Sequence, residues 1–274
     1  MFKYLFTLVI FVGLLQNIYS QTTIRCSIDE KAPAAYGNYP AFLKSVEKSI
    51  QEFNGNGAQK SSSTIITIPV HVILVHNPGQ AIGTGTNFSV EHVQSQIDVM
   101  NEDFRRLNSD SSNTPSEFAA GDSEIEFCLA SVDPNGNPTD GITRYSTTQN
   151  MNSNEFSIKS ATGWNRNDYL NIWSAPNLGG ILGWAYLPST TNLPNATLDG
   201  VVCAAGSFGG PGFATNNPYD LGRTVTHEIG HYLGLLHIWR NNGCNSDDGF
   251  ADTPLQDDEY FGCPTHPQQS CGSN

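Results

Sequence analysis

The spacing of apolar residues changes along the chain, and each change marks a part. Lys3 is followed by an apolar run from Leu5 to Leu15, then by polar Gln16 and Asn17 and small Ser20. That order predicts a secretory signal peptide over residues 1–20, removed after Ser20. A membrane anchor is the rival reading, but the run is short against the roughly 20 residues a span needs. Residues 21–63 are weakly patterned and end in FNGNGAQKSSST, which reads as an exposed linker. TIITIPVHVILVH, from Thr64 to His76, is β-branched and apolar and predicts a core strand. Ser89 then opens a helix whose Val90, Val93, Ile97, Met100, Phe104 and Leu107 share one face. SEIEFCLASV, DYLNIWSA, GILGWAYL and LDGVVCAA read as further strands between Gly-, Pro- and Asn-rich turns. LGRTVTHEIGHYLG predicts a second helix, with Leu221, Val225, Ile229 and Leu233 at helical spacing and Gly234 as its stop. A strand, a long helix, more strands and a second helix describe an α/β or α+β sheet protein.

Composition narrows the function. The chain of 274 residues is 38% hydrophobic and 10% aromatic, enough for a real core. Its formal net charge of −13 argues against nucleic acid, whose phosphates need a basic face. No stretch after the signal is long and apolar enough to cross a bilayer, so no membrane partner is expected once it is removed. Export makes the six cysteines candidates for disulfides. The organisation expected is a signal peptide (1–20), a propeptide with its linker (21–63) and a catalytic domain (64–274).

The chemistry concentrates in HEIGHYLGLLH, residues 227–237. His227 and His231 are four apart on a helix, so they share a face with Cβ atoms about 5–6 Å apart. Two imidazoles so spaced reach one ion at about 2.0–2.1 Å. A left-handed Gly234 swings the chain back and brings His237 to the same ion. Three neutral nitrogens leave a fourth position open, the mark of a catalytic zinc rather than a closed structural one. Glu228 is badly directed to be a ligand but well placed to take a proton from water on the metal and pass it to a leaving amine. A helical histidine is ordinarily a core residue, but here five positions match H-E-x-x-H-x-x-G-x-x-H in an exported chain.

That motif is the signature of the metzincin metallopeptidases. With IDVMNEDFRRLN, IEFCLA before DPNGNPTDGITR, YLNIWSAP, GGILGWAYLP and GCNSDDGFADTP, the chain from Thr64 onward resembles the pappalysin family. The resemblance implies a metzincin fold: a twisted mixed five-stranded sheet, a backing helix and an active-site helix, with substrate extended along GILGWAYL as the edge strand. It implies zinc on His227, His231 and His237, Glu228 as general base, and protein or peptide substrates. Cys26, in IRCSIDE, resembles the cysteine of pappalysin-type propeptides, whose thiolate fills the open zinc position and keeps the precursor latent. Ser27 stands where the family has glycine, and a disulfide partner is the other reading of Cys26.

GCNSDDGFADTP offers hard oxygen ligands after the zinc site. Calcium is implied by the resemblance on Asp248, the Phe250 carbonyl, Asp252 and Thr253; a solvated acidic turn is the alternative. Family spacing pairs Cys244 with Cys271, while Cys128 and Cys203 remain open between bonded and buried. The family's methionine turn, and a Tyr two residues after it, would fall beyond Asn274, as would a partner for Cys263. The chain is therefore expected to be a family member cut short, with an incomplete C-terminal subdomain. Two functions stand at this point. One is a secreted zinc endopeptidase made as a latent zymogen, and the other an inactive secreted zinc- and calcium-binding remnant that holds peptides without cleaving them.

Overall fold

The computed structural model describes residues 24–36, 39–55, 64–114, 121–188, 196–245, 247–250, 253–260, 262, 265 and 269–272. The expected signal peptide, residues 56–63 of the expected linker, Asp252 and Cys263 lie outside the described residues. Among those described, no helix is long and apolar enough to cross a membrane.

The sheet is built on β2 (Ile66–His76), the apolar run read from the sequence. From Val70 to His76 it is buried on both faces, which is why it reads as a continuous apolar stretch rather than an alternation. Two successive strands share one flank of it: β3 (Ile125–Leu129) pairs with Ile66–Val70, and β4 (Ile142–Ser146) with Val72–His76. On the other flank come β5 (Leu170–Ala175), β7 (Val201–Ala204) and β6 (Ile181–Ala185). Every pairing is parallel except β6 with β7. Six strands thus fill five positions of a mixed sheet, as expected, with β4 an addition to the strands foreseen. A further strand, β1 (Ile24–Cys26), lies parallel along β6, so the edge foreseen for substrate is occupied by the chain's own leading segment.

Because side chains alternate along a strand, the sheet separates two cores. Val72 and Leu74 of β2, with Ile172 and Val201, pack against α3 (Val90–Phe104) and α5 (Arg223–Tyr232). Ile73 and Val75, with Trp173, Trp184 and Val202, pack against Ile158 of α4 (Glu155–Thr162). That second core also takes Ala32, Ala35 and Tyr36 of the leading segment, around α1 (Ile28–Ala35), and Phe42 of α2 (Tyr39–Gly55).

Both helices predicted from the sequence form, with shorter apolar faces. The Ser89 hydroxyl caps α3 by accepting from the His92 N–H at 3.3 Å. Val93, Ile97 and Met100 are buried as expected, but Val90 is 43% exposed and Leu107, past the helix end, 72% exposed. Gly222 caps α5 in a left-handed conformation, which a side chain would resist, so Leu221 falls outside the helix and joins the surface instead. The leading segment, read as weakly patterned, holds two helices, and α2 extends to Gly55 into the expected linker.

Candidate active site

His227 and His231 project from one face of α5. Gly234, at φ +106°, reverses the chain so that His237 meets them. The three Nε2 atoms form a triangle with sides of 3.0, 3.1 and 3.3 Å. Ligands of a tetrahedral zinc at about 2.0–2.1 Å stand roughly 3.3–3.4 Å apart, so the triangle fits one such ion. Its chemistry fits as well. The Leu235 carbonyl lies 2.7 Å from His231 Nδ1 and can only accept, so Nδ1 carries the proton and Nε2 offers its lone pair to the centre. His237 is braced by stacking on Trp239, ring centroids 4.4 Å apart.

Cys26 comes from the other side. Its Sγ and the three histidine nitrogens all lie within 4.8 Å of one another. The register that delivers it pairs Cys26 with Gly183 of β6, and the Ser27 N–H donates to the Gly183 carbonyl at 3.1 Å. No other such group of potential ligands occurs among the described residues.

Glu228 is fully buried beside this cluster. The Cys26 thiol donates to its Oε2 at 3.4 Å, while Oε1 has no hydrogen-bond partner. Burial pushes its carboxyl well above the usual carboxylate range, opposed by contacts from Cys26 and the Ala185 backbone. A buried carboxylate oxygen without a donor, beside the three histidines, is what a water or cation would satisfy. The site opens into a cleft of about 530 Å³ whose walls include Leu182, Tyr219, Leu221 and Tyr260.

Side chains that the sequence did not single out hold α5 in place. Gln96 of α3 accepts from the Gly209 N–H at 2.8 Å and donates to the Gly222 carbonyl at 3.0 Å, pinning the loop that starts α5. Thr226 donates to Asp103 at 2.8 Å, and Arg223 makes two bonds to Asp110 at 2.6 and 2.7 Å. The Arg223 guanidinium holds the Asp110 carboxyl far below its usual range. Gly183 was the one legible signal, since a glycine inside a strand pattern marks a close backbone approach. The amides and carboxylates of α3 leave no comparable mark in one sequence.

The loop after the site is closed as the family resemblance implied, by a disulfide between Cys244 and Cys271. Within it Asp248 is 5% exposed, and its Oδ1 accepts from the Thr253 hydroxyl at 2.7 Å and the Phe250 N–H at 3.0 Å. The Thr253 hydroxyl also lies 3.0 Å from the Phe250 carbonyl, so three of the four residues expected to hold calcium converge. Cys203 is a buried thiol and Cys128 an exposed one, neither in a disulfide.

The model of the peptidase M43 family, described as pregnancy-associated plasma protein-A, matches residues 152–273. An extracellular metalloprotease of Arthroderma otae is 33% identical over 192 residues, 69% of this chain and 60% of the relative, so the match spans under two thirds of that protein's length. Mature mirolysin of Tannerella forsythia, solved in complex with a cleaved peptide, is 45% identical with a TM-score of 0.68, covering 77% of this chain and 78% of that one. The promirolysin structure from the same organism is 37% identical with a TM-score of 0.73, covering 90% of this chain and 81% of that one. The mixed sheet, its backing helix and the helix that carries His227 and His231 accordingly make a metzincin-type fold, and the chain belongs to the pregnancy-associated plasma protein-A family of metallopeptidases, the pappalysins.

Proposed function

We propose that the protein is a secreted zinc endopeptidase, made latent by its own leading segment, that hydrolyses internal peptide bonds of proteins. The observation that carries this reading is the Nε2 triangle of His227, His231 and His237 with the buried Glu228 carboxylate alongside. A zinc ion on those nitrogens would supply the Lewis acidity that makes a water nucleophilic near neutral pH. Glu228 would take the proton from such a water and deliver it to the leaving amine nitrogen, and its Oε1 has no competing hydrogen bond. The edge of β6 binds the substrate through main-chain hydrogen bonds, which read an extended backbone rather than one side chain.

Latency rests on the leading segment, whose Cys26 thiolate would take the position the water needs. Two observations support it. The segment β1 lies along the edge that an extended substrate would use. Alignment with the pro-form of mirolysin covers 90% of this chain, against 77% with the mature form. Residues 1–20 as a signal peptide, and the extracellular naming of the fungal relatives, support secretion. Calcium on Asp248, the Phe250 carbonyl, Asp252 and Thr253 would fix the loop beside the cleft.

Casein hydrolysis by the purified chain, after its leading segment has been cleaved, tests the core of this. Hydrolysis should stop with a chelator and return with zinc. Glu228→Ala should keep one zinc per chain while its rate falls about 10²–10⁴-fold, the usual worth of a positioned acid–base group. Chelator-resistant hydrolysis, or a Glu228→Ala chain as fast as its parent, would overturn the reading.

A further inference from the structure

The cleft beside the histidines is lined by Leu182 of β6 and, from another part of the chain, by Pro218, Tyr219 and Leu221. Those three belong to the loop of residues 208–222 that leads into α5. Side chains of α3 hold this loop. His92 donates from Nε2 to the Phe208 carbonyl at 2.8 Å, and the Ser95 hydroxyl accepts from the Gly210 N–H at 3.0 Å. Gln96 accepts from the Gly209 N–H and also donates to the Gly222 carbonyl. The loop is folded on itself in between, with the Thr215 and Asn216 N–H groups both donating to the Gly206 carbonyl, at 2.8 and 2.9 Å.

Gln96 differs from the other two. It is fully buried on the face of α3 that carries Val93, Ile97 and Met100, where the helical pattern calls for an apolar residue. Its amide offers an acceptor and a donor in one planar group, and each reaches a different end of the loop. Those ends meet: a Cβ built at Gly222 would stand 3.0 Å from the Gly209 carbonyl and 3.3 Å from the Gln96 amide nitrogen. Buried polar groups with both bonds made fix one arrangement rather than add much stability. The helix beyond is held by other means. Thr226 bonds Asp103, Arg223 bonds Asp110, and Val225 and Ile229 are buried in the core. Losing Gln96 therefore leaves α5 in place and frees the stretch of cleft wall just before it.

We propose that Gln96 is a positioning residue for substrate binding: by joining Gly209 to Gly222 it holds Pro218, Tyr219 and Leu221 where an extended chain on β6 meets them. The substrate role rests on the peptidase reading above. Two variants test it. Gln96→Leu removes both bonds with little change of volume. Gln96→Glu keeps the shape, but its carboxyl can accept from Gly209 and donate to Gly222 only while protonated, the form that burial favours. Other ionisable groups of these elements have partners of their own: His92 with Phe208, Arg223 with Asp103 and Asp110, and Asp220 with Asn217. In the full chain, Gln96→Leu should raise hydrogen exchange over residues 205–222 about tenfold, the scale of a buried hydrogen bond, and leave β2 unchanged. In the self-processed chain it should raise KM for a peptide about tenfold while kcat and zinc content hold. Gln96→Glu should bind peptide like its parent at about pH 6 and lose that likeness by about pH 9, as the carboxyl ionises beside the Gly222 carbonyl. Each ratio is taken against the parent at the same pH, which cancels the titration of the site itself. A parental KM in Gln96→Leu, a loss confined to kcat, or a Gln96→Glu chain impaired alike at both pH values overturns the assignment. A parent that cuts no peptide overturns the peptidase reading and the substrate role with it, and the exchange result then decides whether Gln96 clamps the loop.

Discussion

Glu228 and Gly183 explain each other. The carboxylate is buried against the bare backbone of β6, and a Cβ added at Gly183 would stand 2.9 Å from Glu228 Cγ, 3.0 Å from its Oε1 and 2.8 Å from the Val202 carbonyl. The carbonyl is ladder backbone and cannot yield, so either the strand or the glutamate must move. Gly183→Ala is expected to cost about 1–3 kcal/mol in urea unfolding, the usual penalty of overpacking. It should also lower kcat more than it changes KM, because the role proposed for the displaced group is to move a proton rather than to bind backbone. A Gly183→Ala chain with unchanged midpoint and kcat would show that Glu228 does not depend on this close approach. The same logic runs through His231, whose tautomer is set by a single carbonyl, that of Leu235.

Elements differ in how much of them one sequence betrays. β2 and the buried faces of α3 and α5 were legible because each has a long periodic or continuous apolar signal. So was the histidine cluster, since HEIGHYLGLLH packs three histidines, a glutamate and a helix-stopping glycine into one stretch. β4 was not, since ITRYS is only partly buried along its length and carries no apolar run, and neither was α4, whose eight residues are too few for a helical period to emerge. In α2 the signal was present, with Tyr39, Phe42, Leu43 and Val46 at helical spacing, but it lies in a segment that earns its order by docking on Trp184 and Tyr186. The loop from Asp247 to Thr253 is legible as chemistry rather than as an element. Its turns are held by Asp247 accepting from the Gly249 N–H and Asp248 from the Phe250 N–H. If it holds calcium, excess calcium should raise the melting temperature in step with the logarithm of its concentration, with about 2.7 kcal/mol of stabilisation at a hundredfold excess over Kd. Asp248→Ala should abolish most of that rise. A melting curve indifferent to calcium would leave the loop a self-satisfied acidic turn.

Across the whole molecule the leading segment is tied down at several separate places. β1 adds a strand to β6, Cys26 joins the histidines, Lys31 sits on Trp184, the Tyr36 hydroxyl donates to the Leu187 carbonyl at 2.7 Å, and Glu47 of α2 pairs with Arg240 at 2.8 Å. Ala32, Ala35, Tyr36 and Phe42 add buried apolar surface, each large side chain worth about 1.5–3 kcal/mol. Only one of these contacts touches the three histidines. Losing it should therefore unblock the chemistry without releasing the segment. Cys26→Ala in the full chain is expected to keep the hydrogen-exchange protection of α1 while allowing water to the fourth ligand position. Hydrolysis should then begin slowly and accelerate as copies cut one another, with new N-termini between residues 56 and 63. Combining Cys26→Ala with Lys31→Ala should shorten that lag, because the second change weakens docking rather than ligation. An intact Cys26→Ala chain as silent as its parent would show that latency comes from covering the β6 edge and not from the thiol.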